Sequence, residues 1–460
     1  MRKLLTLLLI ACSLFGQAQY VIDPVTKKRV TYTIGADYKF TFSNGRVAMP
    51  AVEDIEVKKV YARAVVPPVV KPPVSVPPSG WTIVKQDVNG RIVLDNIKNV
   101  NIKIPAGAVS YVAINNPINV KIDATGVVLA NNASIDIQTP INLELYGFAV
   151  TDQSYRAINI RGVVQGLKIH DAVFKNIGNT VISFEYNGLY DGTDKTTNLN
   201  ITLDKNSFTN CGNVVGNSGG FDHDLGKIKG LSRNLVFSNN TIRDCPSVGN
   251  VIWAGAADNY NIFGNDIDHV NYNFKASDPG GLNGIHNGVF AITGNGKFHD
   301  NKVINHQGNL IRAWGVSYGS KMDSVLIYNN IAYNSLKYSA FELQATPEMQ
   351  EFIKKWPKVA GFTNARVSNN TAGQMNTRKD WEGQMLDLYQ TGGSLVYRNN
   401  LGFNMNRVNG VTVVPLELGR AMINMGPIEQ KDGNVYRNTW QEAVTDLVSF
   451  KSKFAGVGAQ

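Results

Sequence analysis

The chain has 460 residues, a formal net charge of +9 and 18% charged residues. This length allows a large core and more than one domain. No Lys/Arg cluster resembles a nucleic-acid-binding module, so we expect no nucleic-acid partner. The positive charge either attracts an acidic polysaccharide or an anionic cell surface, or only keeps the protein soluble.

The N-terminus has the features of an export signal. Met1-Arg2-Lys3 supplies positive charge, and the apolar run from Leu4 to Ala11 is too short to span a bilayer. Gly16-Gln17-Ala18 offers a signal-peptidase site, which gives a signal peptide over residues 1–18, whereas the residues ending at Cys12 resemble a bacterial lipoprotein box. We therefore expect an exported protein, either periplasmic, extracellular or anchored at the cell surface by a lipid on Cys12.

A Pro-rich stretch separates two parts of the chain. Val66 to Ser79 holds six of the 17 prolines, which predicts an extended linker over residues 66–80. Residues 19–65 form an N-terminal extension or a small β module. Residues 81–440 form the main body, and residues 441–460 are predicted to be a C-terminal cap that contains a helix.

A local phrase recurs through the main body at irregular intervals of about 25 to 40 residues. Each copy consists of a strand, an Asn-rich corner and a second strand. Asn tolerates the left-handed torsions of a tight corner and, when stacked, can hydrogen-bond to the next coil. The copies are NLVFSNNTIRDC from Asn234, NYNIFGNDIDHV from Asn259, GKFHDNKVINHQ from Gly296, SVLIYNNIAYN from Ser324 and SLVYRNNLGFN from Ser394.

These apolar-x-x-Asn-Asn corners resemble those of the pectate-lyase superfamily. The resemblance implies an all-β fold, namely a right-handed parallel β-helix, or single-stranded solenoid. Cys211 and Cys245 each lie five residues after a corner asparagine. They should therefore occupy equivalent places on neighbouring coils, either as a disulfide or as a stack of free thiols.

The resemblance places substrate on the strand that follows each phrase. A period of two directs one row of side chains outward from these strands, and a second row lies beside it. Both rows combine charged groups with aromatic rings, as a groove for an acidic polysaccharide requires. The first row is Trp253, Lys275, Arg312, Glu342 and Asp387, and the second row includes Trp314, Gln344 and Tyr389.

Lys275 and Arg312 suggest β-elimination in an acidic polysaccharide. A base removes the C5 proton of a uronic acid whose carboxylate is neutralised, and an acid assists departure of the O4 leaving group. Lys275 would be the base, because burial and a neighbouring guanidinium lower the pKa of an ammonium group. Arg312 would bind the carboxylate or assist the leaving oxygen.

Asn273-Phe274-Lys275, followed one coil later by Gln307-Gly308-Asn309-Leu310-Ile311-Arg312, resembles the Lys and Arg pair of family-six polysaccharide lyases. That group contains chondroitinase B and alginate lyases, so the resemblance implies a polysaccharide lyase. In the family a serine usually follows the lysine, and an acidic pair before it helps to hold calcium. Here Ala276 follows Lys275 and only Asp268 stands nearby. The sequence therefore assigns no metal ligand, and calcium dependence stays open.

Two histidines are further candidates for the site. His286 lies in the Gly-rich segment from Ser277 to Gly288 and would supply a proton donor or a substrate contact. His223 lies in a segment that resembles the Asp-Pro-His motif of mannuronan epimerases without its proline, and would contact substrate. An exposed acidic loop explains the His223 segment equally well.

Other functions stay open. The fold also suits a non-catalytic glycan-binding or adhesin-like protein. Glu342 and Asp387 on successive strands could serve a retaining glycoside hydrolase, and a C5-epimerase begins with the same proton abstraction as a lyase. The segment from Pro347 to Trp356 predicts a short helix that forms a wall over the groove. We expect a monomer.

Overall fold

The computed structural model divides into two compact units, residues 1–74 and 75–460. In the first unit, four short strands pair antiparallel in chain order. They are Tyr20–Ile22, Arg29–Ile34, Phe40–Phe42 and Val47–Ala48. In the second unit, the structure describes residues 80–245, 250–271, 288–319, 321–378, 383–388, 393–406, 418–421, 428–437 and 458–459.

Three ladders of parallel strands build the second unit. The chain visits them in the order A, B, C on each coil, except that the first strand of ladder A leads directly to the first strand of ladder C. Ladder A comprises Trp81–Ile83, Lys98–Lys103, Ile118–Asp123, Ile141–Tyr146, Gln165–His170, Asn198–Asp204, Ser232–Ser238, the ends of Ile252–Phe263 and Gly288–His299, Ser324–Tyr328, Asn364–Ser368, Leu395–Arg398 and Ile428–Asp432.

Ladder B comprises Gly107–Ala108, Val127–Leu129, Ala149–Gln153, Val173–Ile177, Ser207–Cys211, Thr241–Cys245, Asp266–Val270, Lys302–His306, Ile331–Ser335, Thr371–Met375, Leu401–Met405 and Val435–Arg437. Ladder C comprises Arg91–Asp95, Tyr111–Asn115, Ser134–Gln138, Ile158–Arg161, Ile182–Phe184, Val215–Asn217, the beginnings of Ile252–Phe263 and Gly288–His299, Asn309–Tyr318, Phe341–Gln344, Leu386–Leu388 and Leu418–Ala421. The main body is a parallel β-helix, as the sequence predicts.

The interior is a continuous stack of apolar side chains. Alternate residues of each strand point inward, so neighbouring coils place side chains directly above one another. Phe148, Phe174, Phe208, Phe237 and Phe290 form a chain of buried rings with centroids 5.0 to 6.4 Å apart. Burial of each such ring stabilises the fold by roughly 1.5–3 kcal/mol.

The corners between ladders A and B explain the recurrent Asn-Asn pairs. The first asparagine takes a left-handed conformation, as at Asn329, where φ is 56°. The second is buried, and its amide bonds to the asparagine of the next coil. Nδ2 of Asn301 donates to Oδ1 of Asn330 at 3.0 Å, and Nδ2 of Asn330 donates to Oδ1 of Asn370 at 2.9 Å. The predicted bonding between stacked asparagines is therefore confirmed. The ladder comprises Asn206, Asn240, Asn265, Asn301, Asn330, Asn370, Asn400 and Asn434.

The two cysteines confirm the predicted register of ladder B. Thr209 pairs with Arg243, and the backbone N–H of Cys211 donates to Sγ of Cys245 at 3.3 Å. Both side chains are buried as free thiols. Of the two arrangements that the sequence left open, the structure shows the stack.

Insertions at corners between ladders C and A form a side wall, which comprises a hairpin, a helix and a short strand. The hairpin pairs Gly220–Asp222 with Lys227–Lys229. The helix is Pro347–Lys355, where Thr346 accepts a hydrogen bond from the Met349 N–H, and it confirms the predicted short helix. The strand Ala360–Phe362 pairs antiparallel with the end of Asn309–Tyr318. A single 3₁₀ turn, Asp194–Thr196, is also described.

The ends of the β-helix are only partly described. Within the described residues, no helix is long and apolar enough to cross a membrane. The predicted C-terminal cap at 441–460 lies outside the described residues except at 458–459, where the Ala459 N–H donates to Oγ1 of Thr371 at 3.0 Å.

Candidate functional site

The outward row of ladder C is largely as the sequence predicts. Strand pairing places Trp253, Arg312, Glu342 and Asp387 at equivalent positions of their strands. Toward the N-terminus, the row continues through Gly216 and Ser183 and then through Asn159 and Asp136. The groove row, as we call it, comprises Ser183, Gly216, Trp253, Ala291, Arg312, Glu342 and Asp387.

One member of the row was wrongly predicted. Ala291, and not Lys275, pairs with both Trp253 and Arg312. The segment Asn273-Phe274-Lys275 has the same pattern as the true strand starts, but the ladder C strand of that coil begins only at Gly288. A long insertion between ladders B and C therefore shifts the alignment, and Lys275 lies within that insertion.

Arg312 is the cation of the groove row, and neighbouring side chains fix its position. Its Nε donates to Oε2 of Glu342 at 2.8 Å, and its Nη2 lies 3.5 Å from Oε1 of the same carboxylate. Its guanidinium carbon lies 5.0 Å from the centroid of the Trp314 ring. The Arg312 side chain remains 17% exposed. It is thus a largely buried, oriented guanidinium whose remaining surface can bind a carboxylate.

Two tryptophans stand next to this cation. Trp253 is 43% exposed, and its ring centroid lies 6.1 Å from that of Trp314, with ring planes 70° apart. Trp314 is half-buried, because its other side packs against the apolar residues of the side wall. Two of the three predicted aromatic residues, Trp253 and Trp314, therefore lie side by side, and Trp253 is the exposed one of this pair.

The two carboxylates of the row differ from expectation. Glu342 and Asp387 pair directly on neighbouring strands, but neither side chain has any exposed surface. Neither side chain therefore lines an open surface, and the predicted contact of these two residues with substrate remains a prediction. Glu342 instead binds Arg312. This arrangement gives no support to a retaining hydrolase, whose two carboxylates must reach substrate and water.

Gln344 lies beside Trp314 in the second row. Its side chain is buried, and within the described part of the chain its Nε2 has no hydrogen-bond partner. A buried donor without an acceptor is unfavourable by about 1–3 kcal/mol. Gln344 is therefore suited to donate to a hydroxyl or carboxylate of a ligand bound against Trp314.

His223 lies at the tip of the hairpin in the side wall. Its ring packs edge-on against Phe352 of the helix, with centroids 5.4 Å apart. The adjacent Phe221 contacts the same ring of Phe352 at 4.5 Å. At the start of the helix, its own backbone N–H and then Thr346 lower the pKa of Glu348, and His223 adds a smaller effect in the same direction. His223 is exposed, and its predicted substrate contact remains a prediction.

Three predicted site residues lie outside the described residues, namely Lys275, His286 and Tyr389. The first two belong to segment 272–287, which rejoins the described chain at Gly288. Gly288 borders the site, since a Cβ atom there would lie 2.8 Å from Cγ of Arg312. The roles of all three residues remain predictions.

The described residues do not form the calcium site that the family resemblance raises. Within them, no group of three or more His, Cys, Asp or Glu side chains is close enough to hold a metal ion. Oδ1 of Asp268, the acidic residue before Lys275, accepts a hydrogen bond from Asn305 at 2.8 Å on the face of ladder B.

No family model and no curated protein matches the chain. A solved structure of the alginate lyase AlyF-OU02 in complex with G6 is similar to it, with 14% identity over 77% of this chain and 79% of that chain and a TM-score of 0.28. At this identity and TM-score, the likeness assigns no chemistry to this chain.

Proposed function

We propose that the chain binds an acidic, uronate-containing polysaccharide on ladder C and cleaves it by β-elimination. The observation that carries this proposal is the Arg312 guanidinium, which is held by Glu342, lies over Trp314 and is still partly exposed beside Trp253. A cation next to an aromatic surface suits a sugar that carries a carboxylate and an apolar ring face.

In the proposed reaction, Arg312 neutralises the carboxylate attached to C5. Neutralisation makes the C5 proton easier to remove, and the electron pair left on C5 forms the C4–C5 double bond as the C4–O4 bond breaks. O4 leaves with a proton supplied by a general acid. Lys275 is proposed as the base and His286 as a proton donor, both from the insertion that rejoins the chain beside Arg312.

The test is incubation of the full chain with alginate, chondroitin, hyaluronan and pectate, while absorbance of the unsaturated product is followed. We expect product from at least one polymer and a loss of at least about a hundredfold in kcat/KM for Lys275→Ala and Arg312→Gln. Arg366→Gln is the matched control, because Arg366 is a half-buried arginine on ladder A whose Nε donates to Ser368.

The outcomes separate the alternatives. Absence of unsaturated product from every polymer, with tight binding and no new chain ends, would assign the glycan-binding function instead. New reducing ends without absorbance would indicate a hydrolase. A change in the ratio of C5 epimers without chain cleavage would indicate an epimerase.

A further inference from the structure

The groove row is asymmetric about Arg312. On its C-terminal side stand Glu342 and Asp387, both fully buried and both acidic. Helix Pro347–Lys355 of the side wall begins three residues after Gln344 and packs into the same apolar cluster as Trp314. On this side, neither Glu342 nor Asp387 offers exposed surface to an anionic chain.

The N-terminal side of Arg312 is different. Trp253 presents 43% of its surface, and the next two positions of the row are Gly216 and Ser183. Within the groove row, Gly216 and Ser183 therefore put no bulky side chain beside Trp253. We call the surface formed by Trp253 and Gly216 the lane; beyond it Ser183 is buried, and the row continues through Asn159 and Asp136.

The spacing of the coils sets the distance between Arg312 and Trp253. Neighbouring parallel strands lie about 4.8 Å apart, so Trp253 and Arg312, which are separated by the strand of Ala291, belong to positions about 10 Å apart along the axis. In an extended polysaccharide, the rise per pyranose is similar to the spacing between neighbouring coils. A chain along this lane would thus place one sugar carboxylate at Arg312 and stack a nearby sugar on Trp253.

We propose that the groove is one-sided: the polymer extends from Arg312 toward Trp253 and Gly216, and its end abuts the closed region at Glu342 and Asp387. This inference rests on the proposed function and adds the mode of action. The protein then acts near a chain end and releases short products of one main length. Trp253 determines how strongly longer chains bind.

The first test compares the viscosity of the cleaved polymer with absorbance of the product. Action near a chain end lowers viscosity slowly relative to absorbance and gives one short product from the earliest time points. A rapid fall in viscosity with a broad range of early products would overturn the one-sided groove while leaving β-elimination intact.

The second test measures binding of size-defined alginate and pectate oligosaccharides to the Lys275→Ala variant by tryptophan fluorescence. We expect affinity to rise with length over the first few sugars, and Trp253→Ala to weaken binding of the longer ones about tenfold while hardly affecting the shortest. Trp81→Ala is the matched control, because Trp81 is also 43% exposed but lies in the first strand of ladder A.

The binding data keep the two proposals distinct. Length-dependent binding through Trp253 without unsaturated product from the wild-type chain would support the one-sided groove and refute β-elimination. Equal loss for all lengths in Trp253→Ala, unchanged binding in that variant, or no binding of any oligosaccharide would each overturn the one-sided groove.

Discussion

Arg312 and Glu342 occupy the same position on neighbouring strands of ladder C, and the Arg312 Nε donates to the Glu342 Oε2 at 2.8 Å. Glu342 has no exposed surface, whereas Arg312 is 17% exposed. The pair thus consists of a buried anchor and a cation that reaches the surface. Its geometry gives Arg312 one orientation, which a long flexible side chain would otherwise lack.

We predict that Glu342→Gln lowers kcat/KM by about tenfold or more, because a displaced guanidinium no longer meets the substrate carboxylate. The same variant should lower the free energy of unfolding by about 1–3 kcal/mol through the weaker bond. Steady-state kinetics and urea unfolding measure the two effects.

Glu144→Gln is the control for this change. Glu144 pairs with Lys121 at 3.1 Å on ladder A, where both side chains are partly exposed, and such surface pairs contribute about 0–1 kcal/mol. Equal kinetic effects of the two variants would show that Glu342 does not position Arg312.

The sequence predicts the repeated architecture well and the exact site less well. The Asn-Asn corners depend on local torsions and on contacts with the next coil. The sequence therefore shows directly where these corners lie. Whether Lys275 lies in the groove row depends on how many residues are inserted before the ladder C strand of that coil begins. The segment Asn273-Phe274-Lys275 has the same residue pattern as the start of such a strand. The alternation of apolar and polar residues does not distinguish this segment from Gly288-Val289-Phe290, where the strand begins.

Burial of Glu342 and Asp387 also could not be read from the strands that carry them. Period two correctly directs both side chains away from the core. Whether such residues face solvent depends on insertions from other parts of the chain, which strand patterns do not describe. Gly288 and Ala291 were missed as well, because small residues beside a site carry no chemical signal of their own.

His306 is predicted to make stability depend on pH. Burial lowers the pKa of its ring to about 4, from an ordinary value of 6.5, although the Gly308 backbone opposes the shift. The unfolded chain therefore binds a proton between these pH values and the folded chain does not. Stability from this residue is complete above about pH 6.5 and falls as pH decreases toward 4, by on the order of 3 kcal/mol.

Urea unfolding at several pH values between 4 and 7 measures this dependence. His306→Gln should flatten the curve over that range, since glutamine does not titrate. His269→Gln is the control, because His269 is exposed on the same ladder and bonds to Asp244. An equally steep curve in the His306 variant would show that other groups cause the pH dependence.

The asparagine ladder predicts a large effect for Asn330→Ala. Nδ2 of Asn330 donates to the Phe298 carbonyl at 2.9 Å, and its Oδ1 accepts from both the backbone and Nδ2 of Asn301. Removal of the amide leaves several buried groups without partners, so the free energy of unfolding should fall by about 3 kcal/mol or more. Thermal and urea unfolding test this value.

Asn334→Gly is the matched control for the ladder. Asn334 also takes a positive φ of 57° and donates to Asn305 at 2.7 Å, but in a partly exposed stack. Glycine keeps that backbone conformation, so this variant should lose about 1 kcal/mol or less. Similar losses at both sites would contradict a special role for the buried ladder.

The side wall should depend on a close contact between Gly226 and Trp356. Gly226 has φ +61°, and a Cβ atom there would lie 2.4 Å from the Trp356 ring. Gly226→Ala therefore forces the ring away and loosens helix Pro347–Lys355 from the hairpin. Because the same apolar cluster supports Trp314, on which Arg312 lies, KM for the polysaccharide should rise together with amide exchange in the helix.

Gly192→Ala is the control that distinguishes loss of the Gly226–Trp356 contact from the effect of backbone strain alone. Gly192 has φ +92° and nothing within 4 Å of an added Cβ, so its substitution carries the left-handed strain of about 1–2 kcal/mol without displacing a side chain. We expect Gly192→Ala to lower stability without changing amide exchange in helix Pro347–Lys355 or KM. If both variants changed the helix and KM alike, strain in the insertions would explain the effect, and the Trp356 contact would not support the groove.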